Sequence, residues 1–198
     1  MKLYLSLAVA AILIAGTANA QHSAQKVAIG IKGGLNLYNV NTENSTKLDE
    51  KVGFHVGLLG HVHLAPQLAL QPEIVYSLQG AKFPGSDNKL NLGYINVPVL
   101  VQYMFDNGFR LQAGPQIGFL INAKSVTPNT KVDVKDSYNT VDVGLGAGIG
   151  YVHPASGFGV DLRYNLGLTD ITKNTTLNSS KSTNRGGQLG VFYLINHK

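Results

Sequence analysis

No cysteine occurs in the 198 residues. That one absence removes disulfide scaffolds, Cys-ligated zinc, iron–sulfur clusters and thiol nucleophiles together. Charge is also scarce: Asp, Glu, Lys and Arg make up 14% of the chain, against roughly 25% in an ordinary soluble domain. The net charge of +5 is spread out rather than gathered into a Lys/Arg cluster, which argues against a nucleic-acid partner. No run approaches the roughly 20 apolar residues that a membrane-spanning helix needs. Glycine, by contrast, is abundant, with 23 residues where the usual roughly 7% would give about 14.

The N-terminus has the layout of an export signal. Lys2 supplies a positive start, Leu7 to Gly16 is apolar throughout, and Ala18-Asn19-Ala20 supplies the small residues of a cleavage site. As a helix, a run this short cannot cross about 30 Å of hydrocarbon, so a membrane anchor is the weaker reading. The expected organisation is a signal peptide over 1–20, a short periplasmic leader over 21–26 and a single domain over 27–198.

Within that domain apolar residues recur at every second position, the period of a strand. Over 109–124 the odd positions are Phe109, Leu111, Ala113, Pro115, Ile117, Phe119, Ile121 and Ala123, and the even ones are polar or glycine apart from Leu120. Segments 68–79 and 158–169 repeat the pattern, and weaker versions fill the rest. The spacing predicts eight strands near 27–39, 52–64, 68–79, 90–105, 109–123, 141–152, 158–169 and 186–195. Each is long enough to cross a membrane as a tilted strand of about 9–11 residues. The connections 65–67, 106–108 and 153–157 are tight and rich in Pro, Asn and Gly, whereas 40–51, 80–89, 124–140 and 170–185 are longer and polar. Short turns at one end and long loops at the other predict an all-β, eight-stranded antiparallel up-and-down transmembrane barrel. An exported lipocalin-like barrel is the soluble alternative, but it would need a well-charged outer face, and the polar face here is rich in glycine and poor in charge.

Four stretches carry a family resemblance: 68–82 (LALQPEIVYSLQGAK), 92–103 (LGYINVPVLVQY), 111–124 (LQAGPQIGFLINAK) and 161–171 (DLRYNLGLTDI). In this order they resemble the PorT-like outer-membrane β-barrel family of Bacteroidetes-type bacteria, often labelled the porin family. The run Arg163-Tyr164-Asn165-Leu166-Gly167-Leu168 is the most specific part. One departure is Asn96, where relatives usually carry Glu. The resemblance implies an outer-membrane location and a barrel fold. By analogy with the name-giving relative, it also raises an accessory role in a secretion or gliding apparatus.

The polar face supplies the candidate site. Lys32, Glu73, Asn96, Arg110, Gln112, Gln116, Asp142, Asp161, Arg163 and Asn165 all fall on it. Eight strands enclose a bore just wide enough for side chains to fill, so three basic and three acidic residues there are expected to pair and plug it. Arg163 is expected at the centre with Glu73 as its partner. The expected role is structural or surface-interacting, with a small-solute channel as the alternative. The outward aromatics Tyr103, Phe105, Phe109, Tyr151, Phe158 and Tyr193 sort to the short turns, and Tyr76 and Phe119 towards the long loops, as two lipid-interface belts.

Other chemistry is weak. His55, His61 and His63 share one strand face near the periplasmic mouth, but no third ligand type accompanies them, so no metal is expected. Gly144, Gly146, Gly148 and Gly150 recur at period two with no helix following, which fits room for large side chains rather than a phosphate loop. No Ser–His–carboxylate arrangement is evident, so no catalytic residue and no cofactor are expected. The partners expected are outer-membrane lipid and lipopolysaccharide, together with an envelope protein met at the four long connections. Those stretches hold ten Lys/Arg and seven Asp/Glu.

Overall fold

The computed structural model describes residues 27–42, 48–173 and 181–195. The expected signal peptide and leader lie outside them. The strands are β1 (Val27–Thr42), β2 (Asp49–Ala65), β3 (Leu68–Lys82), β4 (Lys89–Met104), β5 (Phe109–Val126), β6 (Lys131–Asp133), β7 (Val141–Val152), β8 (Phe158–Gly167) and β9 (Ser182–Ile195), with one 3-10 turn over Lys135–Ser137. Each long strand pairs antiparallel with its chain neighbours. β1 also pairs with β9 from Ile29↔Ile195 to Thr42↔Ser182, which closes the ring. Short β6 hangs on the outer end of β5 alone. The result is an eight-stranded barrel with a three-residue side strand. Closure leaves no free edge among the eight long strands, so their backbone donors are paired within the ring, as a barrel in hydrocarbon requires.

The period-two pattern sets which residues meet lipid. Ile29, Ile31, Leu35 and Leu37 on β1, and Val160, Leu162, Tyr164 and Leu166 on β8, are exposed on the outer wall. Their strand neighbours Lys32, Asn36, Asp161, Arg163 and Asn165 are buried inside. The parity breaks once within β5. A bulge pairs Gly93 with Asn122 but Tyr94 with Leu120, so Ile121 is an extra residue and the faces exchange beyond it. Ala123 is therefore buried inside and Lys124 faces outward, the reverse of the sequence expectation.

Most strands also run further than expected at their outer ends, β8 excepted, which stops at Gly167 rather than reaching Thr169. Val40–Thr42, Asp49–Lys51, Gly80–Lys82, Lys89, Lys124–Val126 and Ser182–Arg185 are strand rather than loop, so the connections shrink to 43–48, 83–88, 127–140 and 168–181. Most of these residues are polar because strands that extend past the lipid still form a ladder, but outward apolar side chains there have no advantage. A tag inserted beside Asn129 is expected to be reached by antibody on intact cells, since long connections face outward in such barrels; labelling that requires permeabilised cells would invert the topology.

Gly80 lies where the β2–β3 register shifts, between Glu50↔Ala81 and His55↔Ser77, while its pairing with β4 continues regularly to Lys82↔Lys89. Its φ is 125°, and a Cβ there would collide with the carbonyl oxygen of Leu90 on β4. Gly80→Ala is expected to destabilise the fold by about 2 kcal/mol, from the positive φ and the collision together. An unfolding midpoint in urea within error of the parent would refute this.

Candidate functional site

The lumen is built in three layers. At its middle, Glu73 lies between two cations. Arg163 Nη1 donates to Glu73 Oε2 at 3.0 Å and Nη2 donates to Oε1 at 2.8 Å, a two-pronged pair between strands far apart in sequence. Lys32 Nζ reaches Glu73 Oε1 at 3.5 Å and Asp161 Oδ2 at 2.8 Å. Asp161 Oδ2 also lies 3.7 Å from Arg163 Nη2. Gln71 donates to Glu73 Oε1 at 2.7 Å, and Gln112 Oε1 receives Arg163 Nη2 at 3.4 Å and Gln102 Nε2 at 3.1 Å. Two cations and two carboxylates make the quartet neutral, which is the condition for holding charge in a dry bore.

Glycine makes the room. Gly148 pairs directly with Arg163, and a Cβ on it would sit 2.9 Å from the Arg163 Cα. A Cβ on Gly146 would come within 2.8 Å of Asn165 Oδ1. The glycines of β7 thus clear space for the adjacent strand β8, rather than only for side chains across the barrel.

Beside the quartet is a neutral cluster centred on Asn36, absent from the sequence expectation. Asn36 Nδ2 donates to Phe54 O at 2.9 Å, Ser77 Oγ at 3.0 Å and Leu78 O at 3.2 Å. Its Oδ1 accepts from His55 Nδ1 at 2.8 Å and Gln188 Nε2 at 3.2 Å. His55 therefore belongs to the middle of the lumen and not to the mouth. Six residues of strand separate it from His61, roughly 20 Å. His61 and His63 do meet, edge to face, with ring centroids 4.7 Å apart, and among the described residues no group of three metal-ligating side chains forms.

The remaining expected residues disperse. Asp142 sits towards the outer end and accepts from Thr169 Oγ1 at 2.9 Å and Asn184 Nδ2 at 3.0 Å. Asn165 donates to the Tyr38 hydroxyl at 2.9 Å. Asn96 is buried on β4 opposite Gly118, and Gln116 is half-buried facing Gly144. Arg110 lies near the inner mouth, its Nη1 3.4 Å from Gln102 Oε1.

Apolar layers close the bore above and below, where the polar-face reading expected none. At the outer end Val40, Ala81, Leu90, Leu92, Tyr94, Leu120 and Ala123 pack inward, and Ile171 drops onto them from the last loop. At the inner end Ala28, Leu59, Val152, Phe192 and Leu194 do the same. Leu120, standing on the polar parity of its segment, was the available sign of the outer layer. Ile171 is held in place by its neighbour Asp170, whose Oδ1 accepts from Thr172 N at 3.0 Å, Thr172 Oγ1 at 2.8 Å and Ser182 N at 3.0 Å. Partial burial alone would raise the Asp170 pKa, but these donors hold it below the usual carboxylate range.

On the outer wall, aromatic rings gather near the short turns. Tyr103 packs on Phe105 at 5.0 Å, Phe105 on Phe109 at 5.8 Å and Phe158 on Tyr193 at 5.1 Å, and Phe109 pairs with Tyr151. Towards the loops, Tyr76 meets Phe54 at 5.9 Å, a ring the sequence reading passed over, and Phe119 pairs with Ile95.

A closed eight-stranded barrel with a lipid-compatible wall and a packed bore defines the class: an outer-membrane β-barrel protein. The chain belongs to the family described as outer membrane protein beta-barrel domain, which matches residues 19–173. Among solved structures the fold is similar to Neisserial surface protein A, with a TM-score of 0.56 at 12% identity, covering 85% of this chain and 99% of that one. It is also similar to Ail, the attachment invasion locus protein of Yersinia pestis, with a TM-score of 0.52 at 14% identity, covering 87% and 100%. A second Ail structure, in complex with the heparin analogue sucrose octasulfate, matches at 0.52 and 17%, covering 86% and 99%. Comparison with curated proteins gives no match.

Proposed function

We propose that this outer-membrane barrel works as a rigid, non-conducting and non-catalytic scaffold whose outer rim binds anionic surface glycolipid. The observation that carries the reading is a pair of lysines. Lys82 on β3 stands directly opposite Lys89 on β4, and both face out because their neighbours Ala81 and Leu90 are buried inside. Like charges directly opposite across a ladder are destabilising on their own. Among the described residues neither forms an ion pair, although Asp49 is the ladder partner of Lys82 on its other side. Lys124, one strand further on, also faces out and pairs with Asn91. A row of outward ammonium groups where the wall leaves the lipid suits the phosphates of lipopolysaccharide. Ail, a barrel of similar fold, is seen in complex with the sulfated heparin analogue sucrose octasulfate, which supports an anionic ligand here. The stretch around Arg163 that resembles PorT-like barrels adds a second reading, a place beside an envelope secretion machine, with the same rim meeting the protein partner.

The test compares lipopolysaccharide binding by the refolded barrel and its Lys82→Gln/Lys89→Gln variant. At about 1 kcal/mol for each lysine near an anionic surface, affinity is expected to fall roughly thirtyfold. An unchanged affinity would transfer the rim's role to a protein partner.

A further inference from the structure

The neutral quartet leaves two buried cations without an ion pair among the described residues: Lys51 at the outer end, which donates to the Gln79 carbonyl oxygen at 3.2 Å, and Arg110 at the inner end. Arg110 is the second residue of β5, at the end of the barrel where the short turns lie, the periplasmic side of such proteins. It is only 5% exposed. Its one hydrogen bond is the 3.4 Å contact to Gln102, and its Nε is buried without a partner. Among the described residues it forms no ion pair. The spare carboxylate of the lumen, Asp142, pairs with Gly118 eight residues up the same ladder, roughly 27 Å away, and already has Thr169 and Asn184 as donors. Asp161 lies two strands from Arg110 on the same register line, but its Oδ2 is held by Lys32 at 2.8 Å and, although its Oδ1 is buried without a hydrogen-bond partner, it forms no ion pair with Arg110.

A buried guanidinium without a counter-charge is costly, by several kcal/mol, unless something supplies one. The space for it exists. Between Arg110, His63, Met104 and Val152, with the turn residues Asp106 and Pro154 at its rim, lies a cavity of about 190 Å³. Asp106 is exposed in its turn and makes no ion pair with Arg110.

We infer that the periplasmic mouth is an oxyanion-binding site in which Arg110 takes a carboxylate or phosphate group presented from the periplasm. The planar guanidinium fork suits both groups, and Met104, Val152 and Pro154 give the site an apolar wall for a small body attached to the anion. The site is independent of the outer rim and its lysines.

The chain has only three arginines, Arg110, Arg163 and Arg185, so the barrel labelled with ¹⁵N-arginine and refolded in nonionic detergent yields three resolvable Nε–H signals. It is titrated with N-acetylalanine, its neutral amide and inorganic phosphate. One signal, identified by its loss in Arg110→Gln, is expected to shift saturably with an oxyanion, with Kd on the order of 1 mM. The other two and the amide titration are expected to stay still. A response to N-acetylalanine alone assigns the ligand to a peptide terminus, and a response to phosphate alone assigns it to a phosphate; both support the site. Silence with both anions overturns it, as does an equal shift with the amide. A response that appears only in Asp106→Asn also overturns it, because Asp106 is then the resident counter-ion. Should Arg110→Gln fail to fold, the acid-versus-amide contrast in the parent protein decides by itself.

Discussion

Arg163→Met barrels should lose their compact, unboiled gel band at a much lower temperature than the parent, by an amount corresponding to about 3–5 kcal/mol. The change leaves Glu73 and Asp161 in the bore with Lys32 as their only ammonium neighbour, 3.5 and 2.8 Å away respectively. The layer then carries a net negative charge, with apolar side chains packed above and below it. Few waters can reach it, so the stranded carboxylate has no cheap compensation. Glu73→Leu alone should cost a similar amount with the opposite sign of charge left behind. The double variant Arg163→Met/Glu73→Leu is the decisive case. It leaves the neutral Lys32–Asp161 pair and an apolar filling of similar volume, so it should be clearly more heat-resistant than either single variant. A single variant as resistant as the parent, or a double variant no better than the singles, would show that the quartet does not govern stability.

The second large effect concerns transport. Reconstituted in liposomes, the barrel should pass small sugars no faster than protein-free vesicles, orders of magnitude below a porin standard. Eight strands leave a bore that side chains can fill, and here they fill it at three levels: Tyr94 and Ile171 outermost, the Arg163–Glu73 layer in the middle, Leu59 and Phe192 innermost. A pore would need all three to move, and the middle one is held by a two-pronged ion pair. Sugar-driven swelling at porin rates would mean that the packed bore opens in lipid, and the scaffold reading would fall with it.

Much of this was legible without coordinates, for a reason of geometry. Side chains of a strand alternate faces, so the parity of Asp161, Arg163 and Asn165 against Leu162, Tyr164 and Leu166 separates bore from lipid by counting alone. The short turns and long connections give the strand order because up-and-down pairing needs no long-range information. The expectation that Arg163 meets Glu73 had a physical warrant as well: a buried guanidinium needs a carboxylate, and few were available on that face. Polarity misled at the outer strand ends, however. Outside the lipid a polar residue carries no sign of whether its backbone is paired, so Ser182–Arg185 read as loop and are strand.

What the chain determines by itself is therefore local: strand period, the face each side chain occupies, and a bore too narrow to stay empty. The tertiary structure decided the rest, because those features depend on register between strands distant in sequence. Closure of β1 on β9 brings Asn36 opposite Gln188, and the β1–β2 register sets His55 beside Asn36 in mid-bore, where spacing had grouped it with His61 and His63. The bulge at Ile121 exchanges the faces of Ala123 and Lys124, and no alternation rule contains an insertion of one residue in a ladder. Lys32 shared between Glu73 and Asp161, and Arg110 left without either, are outcomes of which side chains the barrel's stagger brings to the same height. Composition sets how many charges enter the bore, and only the stagger sets which of them meet.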